Sequence, residues 1–312
     1  MPTQSFSSPE AHVAANTSAH LRISLQLRKS SAPWRISSLD LCGLKAQWGQ
    51  GGGCTVTEGS VPPGGSVLFV PTVNVETMHM NGRRFDAQTI RLQRPGDELC
   101  VASTEPHCWF TVFIPDRVLA QWSGAVAEPV PPASRFLRIP AQQADALRRT
   151  LGQLGSMVQQ APGAFESPRA MATTARKLTQ LAREVVAGLS APTTQPGRHL
   201  LARKQIVGAV MDCIDRQDGE YLTVPDLASA AGVSERTLRE AFEDYFGMGP
   251  VRFLRVRTLN LARRALQKSD PALTSVTVVA TQLGVWELGR FARDYRLLFD
   301  ELPSDTLHRG SC

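Results

Sequence analysis

The sequence predicts an α+β chain: a β-sandwich or barrel first, a helical layer next, and an all-helical unit at the end. Three observations carry this. Short alternating stretches broken by Gly and Pro fill residues 21 to 114. From Asp116 the texture turns to Ala, Leu and Gln, with apolar residues at steps of three and four. Residues 222 to 309 then use one structural idea twice.

In order, residues 1–19 are rich in Ser, Ala and Thr and are expected to be disordered. They lack the basic start and apolar centre of a signal peptide. Leu21 to Leu27 alternates apolar and polar residues, as a strand with one buried face does. Gly51-Gly52-Gly53 and Pro62-Pro63-Gly64-Gly65 are turn clusters, and Arg94 to Leu99 is a tight turn into another strand. Strands are expected at Ser66–Val70, Gln88–Leu92 and Cys108–Ile114.

In that last strand, Trp109 faces opposite to Phe110 and Val112. Phe110 and Val112 are expected to fill the barrel interior, with Trp109 against the helical layer or at a pocket mouth. His79 lies on a separate turn-bounded segment between Met78 and Met80. A small polar metabolite is expected to bind within residues 20–190, near His79 and Trp109.

Helices are expected over Asp116–Ser123, Ala141–Gln160 and Pro168–Leu189, with a Pro-rich connection over Glu128–Pro140. On their residues alone, these helices are expected to form a layer covering the barrel. This sets a barrel over residues 20–115, helices over 116–190, and a Pro/Gly/Thr-rich linker over 191–199.

The repeated idea occupies residues 222–246 and 274–299. In each copy an Ala stands four residues before a Gly, Ala228 before Gly232 and Ala280 before Gly284. Gly supplies the positive φ at the end of a short helix, and the small Ala lets the next helix pack close. That next helix carries a stripe spaced by four: Leu238, Phe242, Phe246 in the first copy and Phe291, Tyr295, Phe299 in the second. Pro250 opens a spacer helix running to Gln267, where its missing N–H is tolerated.

With these residues in hand, the segment from about Leu200 to Arg309 resembles the paired helix-turn-helix domain of AraC/XylS-type transcription regulators. The resemblance runs through Ala228, Gly232, Val233, Ser234, Leu238, Phe242, Phe246, Gly247, Pro250, Arg257, Ala280, Gly284, Phe291, Arg293, Tyr295, Phe299 and Pro303. It covers about the last third of the chain. Val285, Trp286 and Asp300 depart from the family pattern. The resemblance implies a cupin-like N-terminal barrel that senses a small-molecule effector, a helical layer that forms a homodimer, and a DNA-binding unit over 200–312. It also implies a cytoplasmic activator that contacts RNA polymerase at a double-stranded DNA operator.

The outward face of each second helix is where base contacts are expected. In the first copy these positions are Ser234, Glu235, Arg236, Arg239 and Glu240. In the second they are Glu287, Leu288, Gly289 and Arg293, with Ala292 beside them. Arg236 and Arg239 are three apart and are expected to reach guanine edges. The second face offers fewer donors.

Composition excludes little by itself. Net charge is +6, yet residues 198–312 hold 16 Lys/Arg against 15 Asp/Glu, so a DNA interface must come from where arginines point. No apolar run of about 20 residues predicts a membrane span. Six Cys show no metal-ligand spacing and read as thiols. No P-loop, dinucleotide fingerprint, nucleophile elbow or HExxH is present, so neither a catalytic residue nor a cofactor is expected. Two other readings stay open: a regulator controlled by a protein partner, and a metal-dependent cupin enzyme fused to a DNA-binding unit.

Overall fold

Alternating apolar residues give strands with two unlike faces, and two sheets form by turning one face of each toward the other. A computed structural model describes residues 3–6, 9–28, 32–41, 43–123, 135–165, 167–187, 198–216 and 222–309. A seven-stranded antiparallel sheet has the order β1-β3-β4-β11-β6-β9-β12. Its strands are β1 (Gln4–Phe6), β3 (Trp34–Leu41), β4 (Leu44–Gly51), β6 (Gly65–Val73), β9 (Thr89–Gln93), β11 (His107–Pro115) and β12 (Arg135–Arg138). A five-stranded sheet has the order β2-β5-β10-β7-β8, from β2 (His20–Arg28), β5 (Cys54–Ser60), β7 (Met78–Met80), β8 (Arg83–Arg84) and β10 (Glu98–Ser103).

Residues 1–19 are not disordered where they are described. β1 pairs with β3, and α1 (Pro9–Ala14) buries His12 and Val13. The sequence lacks a local signal here because these residues are ordered by long-range pairing. β12 likewise lies inside the stretch read as a Pro-rich connection, Glu128–Pro140, where it pairs with β9.

The outer face of the larger sheet is covered by α2 (Asp116–Ser123), α3 (Ala141–Gln160) and α4 (Pro168–Ala187). Phe110, Val112 and Ile114 point into this helical layer, packed with Leu147, Leu151, Leu178 and Val185. The expected facing of β11 is therefore reversed. The wholly apolar set Phe110, Val112 and Ile114 meets the apolar helices, while Trp109 and Thr111 on the other face of the strand line the space between the sheets. Trp48 fixes α3 by donating its indole N–H to the Leu151 carbonyl at 3.0 Å, and Gly155 leaves room for the ring.

The C-terminal part is helical: α5 (Arg198–Arg216), α6 (Val224–Ala230), α7 (Glu235–Phe246), α8 (Pro250–Lys268), α9 (Val276–Gln282), α10 (Leu288–Phe299) and α11 (Pro303–Arg309). Arg198 and His199, assigned to the linker, begin α5; residues 191–197 lie outside the described residues. One core joins this part to the smaller sheet, with Leu25, Leu27, Val56 and Ala102 packed among residues that include Phe242, Phe246, Leu259 and Tyr295.

Candidate nucleic-acid interface and ligand cavity

Both turns are built alike. Gly232 (φ 64°) and Gly284 (φ 72°) take the left-handed conformation that ends a helix. Val233 then donates its N–H to the Ala228 carbonyl at 3.0 Å, and Val285 to Ala280 at 2.9 Å. The starts of α6 and α7 are also fixed by side chains. Thr223 and Asp226 form a capping box, and the Ser234 hydroxyl accepts from the Thr237 N–H at 3.2 Å.

Leu238, Phe242 and Phe246 are buried on α7; Phe291, Tyr295 and Phe299 are buried on α10. The opposite faces are open. Ser234, Glu235, Arg236, Arg239, Glu240, Glu287, Leu288, Gly289 and Arg293 are all exposed, as a reading face requires. Arg236 pairs with Glu240 at 3.2 Å, a surface i,i+4 pair of small worth that holds the guanidinium along the helix. The second helix shows two further exposed arginines that the sequence reading passed over, Arg290 and Arg296. Arg290 pairs with Glu287 at 3.6 Å. Three arginines on one exposed stretch of α10 were the available signal. Trp286, ahead of the α10 cap, is 80% exposed.

α8 separates the two units. Its 19 residues span about 28 Å at the usual helical rise. Arg255 holds α10 to α8 through Asp294, with Nε at 2.9 Å from the carboxylate. Arg257 donates to the Ile214 carbonyl at 3.4 Å, a structural role. Arg263 faces the β2 side, stacked 4.5 Å over Phe299.

Between the two sheets lies a small cavity of ≈ 70 Å³, partly open to solvent. Its walls are mainly apolar, with Val67, Phe69, Met78, Met80 and Leu99 prominent, and His12, His107, Thr111 and Gln93 supply polar edges. Trp109 lines it, and Gly49 leaves no room for a Cβ beneath the Trp109 ring. Burial pushes the imidazoles of His12 and His107 down to about 4, so both are neutral at pH 7.

His79 is not brought to this cavity. Met78 and Met80 turn inward, so alternation turns His79 outward, where its ring approaches Gly247 at the end of α7. There burial lowers its pKa, Arg84 lowers it further and Asp244 opposes. Among the described residues, no group of three or more His, Cys, Asp or Glu is placed to hold a metal. No described helix is long and apolar enough to cross a membrane.

A helix-turn-helix domain family model matches residues 227–309. The chain is 37% identical over 105 residues to the XylDLEGF operon transcriptional activator 2 of Pseudomonas putida, covering 33% of this chain and 67% of that protein. It is 31% identical over 157 residues to a probable thc operon regulatory protein of Rhodococcus erythropolis. That alignment covers 49% of this chain and about half, 47%, of the relative. A solved structure of a probable AraC family transcriptional regulator from Rhodopseudomonas palustris is 35% identical, covering 34% of this chain and 96% of that one, with a TM-score of 0.31.

Proposed function

This chain belongs to the AraC/XylS family of transcription regulators, and on that premise we propose that it reads a double-stranded DNA operator with α7 and α10 under control of a small-molecule effector. The observation that carries the reading is the pair of identically built turns, each followed by a helix with one buried and one open face. A spacer of about 28 Å suits recognition helices entering successive major grooves about 34 Å apart.

Arg236 and Arg239 on α7 are the base readers, with Ser234, Glu235 and Glu240 beside them. On α10, Arg293 reads bases, Leu288 touches thymine methyls, Gly289 permits close backbone approach and Glu287 orients Arg290. The effector occupies the inter-sheet cavity against Trp109; His79 lies where α7 meets the sheet and takes part in relaying the signal. The chain acts as a cytoplasmic activator that contacts RNA polymerase, and its helical layer supports a homodimer.

Footprinting on the regulated promoter tests this. Two protected major-groove faces one helical turn apart are expected for each bound chain. A single protected groove would show that only one unit engages. Control by a protein partner instead of a metabolite is separated by ligand-induced thermal shift, since a ligand of the native state raises its melting point.

A further inference from the structure

The two turns differ at one position in a way the free chain does not repay. Ser234 stands two residues after Gly232, and Trp286 stands two after Gly284. Ser234 caps α7, its hydroxyl accepting from the Thr237 N–H at 3.2 Å. Trp286 has no such oxygen. α10 accordingly starts one residue later from its glycine, at Leu288, without a side-chain cap. Losing a cap costs a helix stability, and an indole that stays 80% exposed returns none of it by burial.

The indole also stands in an apolar setting. It forms one wall of a groove whose other walls include Val224 and Pro225 of α6 and Val251, Leu254 and Thr258 of α8. Val251 is 65% exposed, and Leu288, two residues on from Trp286, is 36% exposed. The groove thus opens between the two helix-turn-helix units, and its rim leads through Leu288 into the open face of α10. Its charges are already engaged: Arg255 with Asp294, Arg290 with Glu287, and Arg257 at the Ile214 carbonyl. What the rim offers a partner is therefore apolar contact.

A recognition helix meets base edges with its N-terminal residues, so Trp286 is carried to the edge of the same major groove, on the side of α8. The apolar group that DNA presents there is the thymine C5-methyl. We propose that Trp286 is a specificity-determining residue that packs on thymine methyls at the spacer side of the α10 half-site, beside Leu288. The occupant is operator DNA because the rim is continuous with the reading face of α10. This rests on the DNA-reading function proposed above. It gives the second unit a sequence preference that needs none of the donors Leu288 and Gly289 lack.

The test uses the full chain and the promoter fragment protected in footprinting, with each thymine in turn replaced by deoxyuridine, which removes only the methyl. Affinity is read by gel shift for the wild type, Trp286→Ser and Trp286→Phe. For the wild type, one or two deoxyuridines on the spacer side of the α10 half-site should weaken binding about fourfold, the worth of one buried carbon. Trp286→Ser should weaken the intact fragment about tenfold and lose the deoxyuridine effect. It should also melt no lower than the wild type, because serine can restore the cap. Trp286→Phe should keep part of both effects. Trp48, Trp109 and Trp122 are buried, so acrylamide quenching of the wild type reports chiefly Trp286, and the fragment should shield it.

The proposal is overturned if Trp286→Ser binds the fragment as the wild type does, or if the same deoxyuridines still weaken that variant. It is also overturned if the indole stays quenchable on the fragment, which would leave it free for a protein partner. If Trp286→Ser melts lower, Trp286→Phe and the deoxyuridine scan decide on the same terms. Wild-type binding no tighter to the fragment than to a scrambled duplex would instead sink the DNA-reading function itself.

Discussion

Gln26 and Asn260 hold each other as two neighbouring strand residues would. Gln26 donates its backbone N–H to Asn260 Oδ1 at 3.0 Å, and its carbonyl accepts from Asn260 Nδ2 at 3.0 Å. The second Nδ2 proton goes to the Val256 carbonyl at 2.8 Å, which fixes the amide on α8. The Gln26 side chain donates to the Leu298 carbonyl at 3.2 Å and accepts from Arg263 at 3.3 Å. One residue of β2 therefore touches both the spacer helix and the second recognition helix.

Asn260→Ala strands two backbone groups of Gln26 at a buried seam. A stability loss of about 1–3 kcal/mol is expected, the usual cost of buried polar groups left unpaired. Urea unfolding measures the loss, and amide hydrogen exchange at Gln26 should accelerate. Unchanged exchange at Gln26 would mean that the seam is held elsewhere.

Arg236→Ala and Arg239→Ala should each weaken operator binding by about 1–3 kcal/mol, the worth of a good base contact. Both side chains are open to solvent, so folding should be unaffected. Gel-shift titration with wild-type stability confirmed by melting is the check. Unchanged affinity in both variants would remove α7 as the base reader.

Readout should be asymmetric within each site. Leu288 and Gly289 place no side-chain donor at the start of α10, whereas α7 opens with Ser234, Glu235 and Arg236. Systematic base substitution should give sharp losses in the half facing α7 and shallower ones in the half facing α10. Equal sharpness in both halves would contradict this, and would point to Arg290 and Arg296 as readers.

Trp109→Ala should remove the inducer response and leave operator binding intact, because Trp109 lines the cavity far along the chain from the reading helices. His79→Ala separates two roles. With its ring against the end of α7, it should leave inducer affinity unchanged and alter only how strongly the inducer changes DNA affinity. Lower inducer affinity in His79→Ala would place the ring in the ligand site.

The two cavity histidines set an acid limit. His12 donates its Nε2–H to the Arg35 carbonyl at 3.2 Å, and His107 donates its Nδ1–H to the Glu105 carbonyl at 3.4 Å. Burial holds both folded pKa values near 4, below the unfolded value of about 6.5. Their neutral forms suit the fold, so this contribution is complete above about pH 6.5 and is lost as pH falls toward 4. Each contributes at most about 1.4 kcal/mol per pH unit. Urea midpoints should fall between pH 6.5 and 5, above the range where carboxylates titrate, and His107→Gln should flatten that fall.

The paired turns were readable because each is set by neighbours in sequence: a Gly, an Ala four residues before it, and an apolar stripe. Facing was harder. Alternation along Cys108–Ile114 says which side chains share a face, but which face meets helices depends on where α3 and α4 dock. The same holds for His79, whose side is decided by α7 arriving from far along the chain. The Gln26–Asn260 seam joins residues 234 apart and has no local signature at all. Arg91 reads as one polar letter in an alternating strand, and only strand pairing sets it between Phe69 and Phe136 and buries it.

β2 is the end strand of the five-stranded sheet. The main-chain groups that Asn260 engages on Gln26 would otherwise invite another chain to add a strand. A fragment ending before Arg198 loses that cover, together with the apolar cover over Leu25 and Leu27. The helical part thus acts as a solubility cap for the sheet part, and cutting the chain at the linker would release a sticky half.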